Sequence, residues 1–501
     1  MTHYHDEEVK ATDRAFFGHP KALGVIFGTE FWERFSYYGM RAILLLYLTT
    51  AIADGGLGLE QAHGEAVVAI YGASVFLFSI AGGWIADRLL GTSRTLLLGS
   101  FIIIAGHTAL ALPWAPASWA GIVLVAVGSG VFKPNPSALV GALYTPDDRR
   151  RSAGFSIFYM AVNFGSLVSP WVVSFLRNAW GFHAGFSAAA IGMLMAIVAF
   201  IWGRGLLRHA GEQPSNPMAD AAERADAWRK VGFVVLGVFV LYLVVALVQG
   251  NWVMSVIDTM SLICLITPLA LFVAMFRSKE VSQVERLRLR AFVPLFIAAM
   301  LFFMIFEQAA SKLTSFAAHR TQLDWLGIHL NPEWFQSINP FLIVTLTPLF
   351  AWLWTRTDGI IRVGHKFTVG LALAGVSFLV MMWASISATD NQATPLWLVV
   401  VYAIQTIGEL CLSPVGLAAT SLLAPKAFQG QAMALWLLAN AAGQSITAQT
   451  IRAMEGTSDT VYYGLLGGIA LVFALILGAL TPWIHKHAND AASTNKPAKA
   501  A

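Results

Sequence analysis

Eight charged side chains sit inside long apolar runs of this 501-residue chain, away from the ends of those runs: Glu30, Glu33, Arg34, Arg41, Lys133, Glu307, Lys312 and Glu409. On insertion scales each costs roughly 2.5–3.5 kcal/mol at the centre of a bilayer helix. Four are acids and four are bases. That balance predicts a paired network around a wet interior, of the kind that marks substrate and ion pathways. A static network that only ties helices together is the bland alternative.

Spacing adds to the case. At about 100° per residue, Glu30, Arg34, Tyr37, Tyr38 and Arg41 fall within roughly 100° of one another on a helix, with Glu33 just to one side. Such a face cannot point at lipid and must line an interior. Lys133 precedes Pro134 in the run Gly-Ser-Gly-Val-Phe-Lys-Pro-Asn-Pro-Ser at 128–137, and Glu409 stands five residues before Pro414. Proline removes a backbone hydrogen bond and bends a helix. Freed carbonyls are tolerated where they line a cavity. Both helices are therefore expected to bend beside a charge, with Pro134 and Pro414 as gating positions.

The elements that must carry these residues follow from composition. The chain is 57% hydrophobic and only 12% charged, about half the charge of a soluble domain. Apolar runs predict fourteen transmembrane helices, at roughly 21–51, 63–90, 93–113, 117–144, 150–178, 184–205, 230–249, 255–276, 288–318, 335–356, 366–388, 395–424, 429–454 and 460–485. Lys and Arg cluster in alternate loops, including Arg88, Arg149 to Arg151, Arg204, Arg208, Arg277 to Arg290, Arg356 and Lys426. This bias places both termini in the cytoplasm. Residues 1–20, with Asp6, Glu7, Glu8 and Asp13, lack the pattern of a cleavable signal and read as a cytoplasmic segment. Residues 206–229 read as a cytoplasmic linker, and 488–501 as a disordered tail.

Setting aside helices 230–249 and 255–276 as an insertion (230–276) leaves a six-helix bundle at 21–205 and another at 288–485. Glu30, Glu33 and Arg34 then correspond to Glu307, and Lys133 with Pro134 to Glu409 with Pro414. The loop Ala86-Asp87-Arg88-Leu89-Leu90-Gly91 recurs loosely as Arg356-Thr357-Asp358-Gly359. A 6+6 repeat with a midplane site is the major facilitator pattern.

Other classes fit poorly. The net charge is +4, yet no basic tract or helix points to nucleic acid. Cys264 and Cys411 each lie in an apolar run, so neither a disulfide nor a metal site is expected. No G-x-S-x-G, H-E-x-x-H or G-K-[ST] motif suggests an enzyme. No cofactor is called for.

The run Glu30-Phe31-Trp32-Glu33-Arg34-Phe35-Ser36-Tyr37-Tyr38-Gly39 resembles the signature of the proton-dependent oligopeptide transporter family, a branch of the major facilitator superfamily. Lys133-Pro134-Asn135, Phe158 to Ser166, Phe306-Glu307-Gln308 and Gln405 to Pro414 resemble it too, in order. Asp87 and Arg88 sit in a stretch resembling the superfamily's gating loop. The paired insertion resembles that of bacterial members. The resemblance implies a proton-coupled symporter importing di- and tripeptides across the inner membrane. Arg34 and Lys133 would hold the substrate carboxylate, and Glu409 its amino group, aided by Asn163, Asn339 and Ser413. Tyr37, Tyr38, Tyr71 and Trp436 would line side-chain pockets. Glu30 and Glu33 would pair with Lys133 or Arg34, and Glu307 with Arg41, as protons move. The family often has Trp where this chain has Phe303. Its animal members use a second-helix histidine that residues 64–90 lack; the isolated His107 reads as structural. A symporter of the same fold for nitrate, an amino acid or a peptide-like drug is the runner-up. Oligomeric state is left open, and a monomer is compatible with the pattern.

Overall fold

The computed structural model describes residues 13–145, 147–207, 210–357, 361–388 and 392–493. The acidic run at 6–8, Arg208, the Asp358-Gly359 half of the repeated loop, residues 389–391 and the tail from 494 lie outside the described residues. The chain is a polytopic all-α membrane protein of fourteen spans. These are α1 (Lys21–Thr49), α2 (Gln61–Ile85), α3 (Thr92–Ala111), α4 (Ala115–Phe132) with α5 (Asn135–Ala142), α6 (Arg151–Trp180) and α7 (Phe182–Gly203). Then come α8 (Ala221–Gln249), α9 (Trp252–Arg277), α10 (Gln283–Phe306) with α11 (Lys312–Arg320), α12 (Ile338–Arg356), α13 (Val363–Ser387), α14 (Leu396–Leu423), α15 (Gln429–Ala453) and α16 (Asp459–Ser493). A hairpin of Asp324–Trp325 with Ile328–His329 follows α11.

Twelve of these spans are long and apolar enough to cross a membrane; α1 and α15 are not among them. The two exceptions are polar for a reason. α1 carries the acid–base face, and α15 carries the amides Gln429, Gln431, Asn440, Gln444 and Gln449.

The chain forms two compact units, residues 1–60 with 74–259, and 61–73 with 260–501. Each contains the same packing scheme. In the first, α1 packs on α6 and α7, and α3 on α4 and α7. In the second, α10 packs on α15 and α16, and α13 on α14 and α16. Glycines permit the same close approaches in both. A Cβ on Gly165 would stand 2.5 Å from Phe31 O, and one on Gly443 2.5 Å from Met300 O. Gly99 and Gly128 meet across α3 and α4 as Gly370 and Gly408 meet across α13 and α14. The 6+6 repeat is thus a repeat of helix contacts.

Three expectations change. The insertion starts earlier than 230: Asp220 caps α8 by accepting from Glu223 N at 2.7 Å. The polar segment before it is docked, with Ser215 Oγ on Asp87 Oδ1 at 2.8 Å and Asn216 N on Asp87 O at 2.9 Å. At the other end α16 continues to Ser493, past the predicted start of the tail.

The third change concerns the breaks. Pro134 does interrupt its helix, because Pro134 and Pro136 together remove two donors while the Asn135 side chain takes Val131 O at 2.7 Å. Pro414 does not: α14 runs on without interruption. The carbonyl a proline frees lies four residues back, and here Trp354 Nε1 donates to Leu410 O at 3.2 Å. The second unit breaks at 307–311 instead, where Ser311 leaves helical geometry at φ −116°, ψ −95°. Side chains replace the lost ladder. Gln308 Nε2 and Thr447 Oγ1 donate to Met304 O at 2.9 and 2.8 Å, and Thr314 Oγ1 and Tyr402 Oη to Ala309 O at 2.8 and 3.3 Å.

Candidate functional site

In the first unit the site is an ion cluster on one helix. Arg34 Nε lies 3.2 Å from Glu30 Oε1 and 2.5 Å from Glu33 Oε2. All three are buried, Glu33 completely. Gly165 sets the cluster's depth, because α6 touches α1 at Arg34 Cβ as well as Phe31 O. The guanidinium also lies 5.3 Å from the Tyr37 ring centroid, and Tyr37 packs edge-on against Tyr38. Arg41 is buried two turns further on. Lys133, at the break, places its ammonium 3.3 Å from the centroid of Phe76. Arg34, one of the two cations the sequence offered, contacts both acids. Asn163 is buried and donates to Tyr159 O on its own helix at 2.8 Å, which leaves its oxygen and its second N–H to offer elsewhere.

In the second unit each acid is met by an amide from another helix. Asn339 Nδ2, at the start of α12, donates to Glu409 Oε2 at 3.0 Å and approaches Thr406 Oγ1 at 3.0 Å. Asn440 Nδ2, on α15, donates to Glu307 Oε1 at 3.0 Å. Glu307, Asn339, Glu409 and Ser413 are half-buried. Trp436 covers Gly416, where a Cβ would come 2.0 Å from its ring. Phe303 meets Trp436 edge-on at 5.8 Å, so the departure from Trp at 303 keeps an aromatic contact. Tyr71 is buried in the same unit.

The gating-loop pair holds the docked segment: Arg88 pairs with Glu223 on α8, and Asp87 accepts from Ser215. Lys312 is at the first turn of α11, between Glu65 at 3.5 Å and Asp459 at 3.7 Å.

Sequence reasoning missed Glu65, Asn440 and Gln444. Glu65 is fully buried. In the sequence it lies two residues inside the apolar run from 63, where a charge reads as a helix end. Asn440 and Gln444 continue a four-residue spacing from Trp436, a pattern visible in the sequence but carrying no charge to flag it. His107 is fully buried, in keeping with a packed residue.

The arrangement offers cations and phenols in one unit, and carboxylates with neutral donors in the other. Residues 93–464 match the PTR2 model of the POT family. A di-/tripeptide transporter of Lactococcus lactis subsp. cremoris is 41% identical over 94% of this chain and 97% of its own length. A crystal structure of the peptide transporter POT in complex with sulfate superposes with a TM-score of 0.90 at 44% identity, covering 96% of this chain and 99% of that one. A POT family transporter in complex with a thioalcohol-conjugated peptide gives 0.89 at 39% identity, covering 94% and 98%.

Proposed function

This chain belongs to the POT family of membrane transporters, and from that premise we propose that it imports di- and tripeptides by proton-coupled alternating access. One observation carries the reading beyond family membership. The first unit sets three cations, Arg34, Arg41 and Lys133, against two acids, Glu30 and Glu33, whereas the second unit's Glu409 is met only by neutral groups among the described residues. A zwitterionic peptide needs a cation at one end and an anion at the other. We assign its carboxylate to Arg34 and Lys133 and its amino group to Glu409, with Asn163, Asn339 and Ser413 beside it. Tyr37, Tyr38, Tyr71 and Trp436 bound the side-chain pockets. Few specific contacts plus two end clamps favour broad side-chain tolerance with a limit on length.

Glu307 is assigned the coupling proton, with Arg41 as its charge partner when ionised. The substrate carboxylate competes with Glu30 and Glu33 for Arg34 and Lys133. Each event lowers the cost of one conformational step, which is coupling by differential affinity. Asp87, Arg88 and Pro134 act at the gates. Pro414 keeps that role only as a flexible point in an unbroken α14. No cofactor besides the proton is required, no metal or nucleic acid takes part, and a monomer suffices. The Lys and Arg bias supports insertion in the inner (plasma) membrane with both termini cytoplasmic.

Internal acidification of proteoliposomes on adding dialanine tests this reading. Acidification with dialanine but not nitrate is expected. Acidification with nitrate alone would favour the symporter for another small solute.

A further inference from the structure

Asn440, which holds Glu307, is itself held. Its Oδ1 accepts from Gln444 Nε2 at 2.5 Å, one turn along α15. The two amides are 3% and 1% exposed. Their orientations follow from chemistry. An ionised carboxylate only accepts, so Glu307 draws the nitrogen of Asn440 toward it. Asn440 then presents its oxygen to Gln444, which must answer with nitrogen. Gln444 Oε1 is left over, a buried acceptor with no hydrogen-bond partner among the described residues. It faces α2 at Gly72, where a Cβ would come 1.9 Å from it. Gly72 is what makes room for this amide. The backbone N–H groups inside α2 are spent on its own ladder, so a helix wall offers an acceptor nothing. A helix carbonyl has a second lone pair and can receive another donor.

Protonation reverses each requirement. A neutral Glu307 donates O–H, Asn440 turns its oxygen to accept it, and Asn440 Nδ2 donates to Gln444 Oε1. The orphaned acceptor gains its partner, and Gln444 turns its NH₂ toward α2. We propose that Asn440 and Gln444 form an amide relay that reads the proton state of Glu307 and passes it to α2 at Gly72. The relay rests on the assignment of the coupling proton to Glu307. Asn440 and Gln444 are positioning residues; neither is needed to hold the peptide. Among the described residues Glu409 on α14 is a charged group that acts on Glu307 in its own unit, and Lys312, five residues on at the start of α11, is engaged by Glu65 of α2 and Asp459 of α16. The hydroxyls of Tyr402 and Tyr462 are engaged with Ala309 O and Gln308 Oε1. Arg41, the assigned charge partner, belongs to the first unit.

The relay makes two neighbouring amides act in opposite directions. Asn440→Leu removes a donor to the carboxylate, so the pH midpoint of proton-driven dialanine uptake moves up, by about one unit if one hydrogen bond is lost. Gln444→Met removes the acceptor that is orphaned only while Glu307 is ionised, so the midpoint moves down. Both are measured in proteoliposomes beside dialanine exchange, which needs no net proton movement. A purely structural role would lower uptake and exchange together and leave the midpoint in place. Shifts in one direction only, or none, with exchange intact overturn the relay. If Asn440→Leu does not fold, Asn440→Ser keeps a donor for Glu307 but cannot reach Gln444; it must then reproduce the downward shift, and a wild-type midpoint overturns the relay. Glu307→Gln is the separating control. Uphill uptake retained in that variant removes Glu307 as proton carrier; uphill uptake lost in it, with unmoved midpoints in the others, removes only the relay.

Discussion

The two units solve the problem of buried charge in different ways. In the first, Arg34 is compensated by Glu30 and Glu33 from the same helix, one turn or less away. In the second, Glu307 and Glu409 are each compensated by an amide from a different helix. The difference has consequences. A guanidinium stays charged at any accessible pH, so Arg34 itself can only change partners. An amide can face a carboxylate with its nitrogen or a carboxylic acid with its oxygen. The second unit's amides can therefore satisfy Glu307 and Glu409 in either protonation state. A guanidinium with its acids sits in one half and amide-bound carboxylates in the other, on bundles with the same helix contacts.

Removing the fixed charge should do the most damage. Arg34→Ala leaves two buried carboxylates without their cation, and breaking a buried pair from one side costs about 3–5 kcal/mol. A large fall in melting temperature with complete loss of uptake is expected. Arg34→Lys should recover stability better than transport, because a point charge cannot serve two carboxylates and a substrate as a fork does. An Arg34→Ala variant as stable as wild type would show that the acids are not ionised and would break the comparison.

The shared scaffold should respond alike in both halves. Gly165→Ala and Gly443→Ala each press a Cβ against a carbonyl of the partner helix, at 2.5 Å before relaxation. Overpacking of this kind costs about 1–3 kcal/mol. Similar losses in thermal stability are expected for both, and a loss confined to one would mean the contact repeat is not energetic. Trp354→Phe removes the donor that caps Leu410 O and keeps most of the ring. The orphaned carbonyl should cost about 1–3 kcal/mol and make α14 exchange amide hydrogens faster around Pro414, where the first unit's break should be unaffected.

These contrasts also explain what could be read from the chain alone. Glu30, Glu33, Arg34 and the phenols are neighbours in sequence, so helix periodicity put them on one face and the structure keeps them there. The second half-site depends on Asn339 and Asn440 reaching across from other helices. An amide in an apolar helix carries no charge to announce it, and no spacing rule pairs α12 with α14 or α15 with α10. The breaks show the same limit. Pro134 interrupts its helix, whereas α14 continues through Pro414 and an indole 60 residues earlier in the chain donates to the carbonyl four residues before it. The break at 307–311 has no proline at all and is sustained by hydroxyls and an amide from α14, α15 and its own turn.

The smallest effect expected lies outside the membrane, at the N-terminal end of the first unit. His19 Nδ1 meets Tyr144 Oη at 2.8 Å, while Arg150 grips Asp148 and also donates to Asp13 O and Gly18 O at 3.0 and 3.3 Å. Burial, and then the Arg150 charge, hold the His19 imidazole below its usual range. Hydrogen bonds from Arg150 hold the Asp148 carboxyl below its own. A lowered histidine favours the folded form above the ordinary value of about 6.5 and loses that advantage as pH falls below it. The Asp148 contribution persists until pH falls well below about 4. Hydrogen exchange in residues 13–20 should therefore rise modestly between about pH 7 and 5. His19→Phe should remove that step and leave both half-sites unchanged.

The division of labour between the units is tested most directly by a cycle that pairs one residue with one end of the substrate. Competition against dialanine uptake is measured for dialanine and N-acetyl-dialanine, in the wild type and in Glu409→Gln. If Glu409 receives the amino group, acetylation should weaken binding at least about tenfold in the wild type and less than about twofold in the variant. Capping the carboxylate as an amide should cost the same in both proteins. An acetylation penalty of equal size in wild type and variant would contradict the account, because the amino group would then be held somewhere other than the second unit's carboxylate.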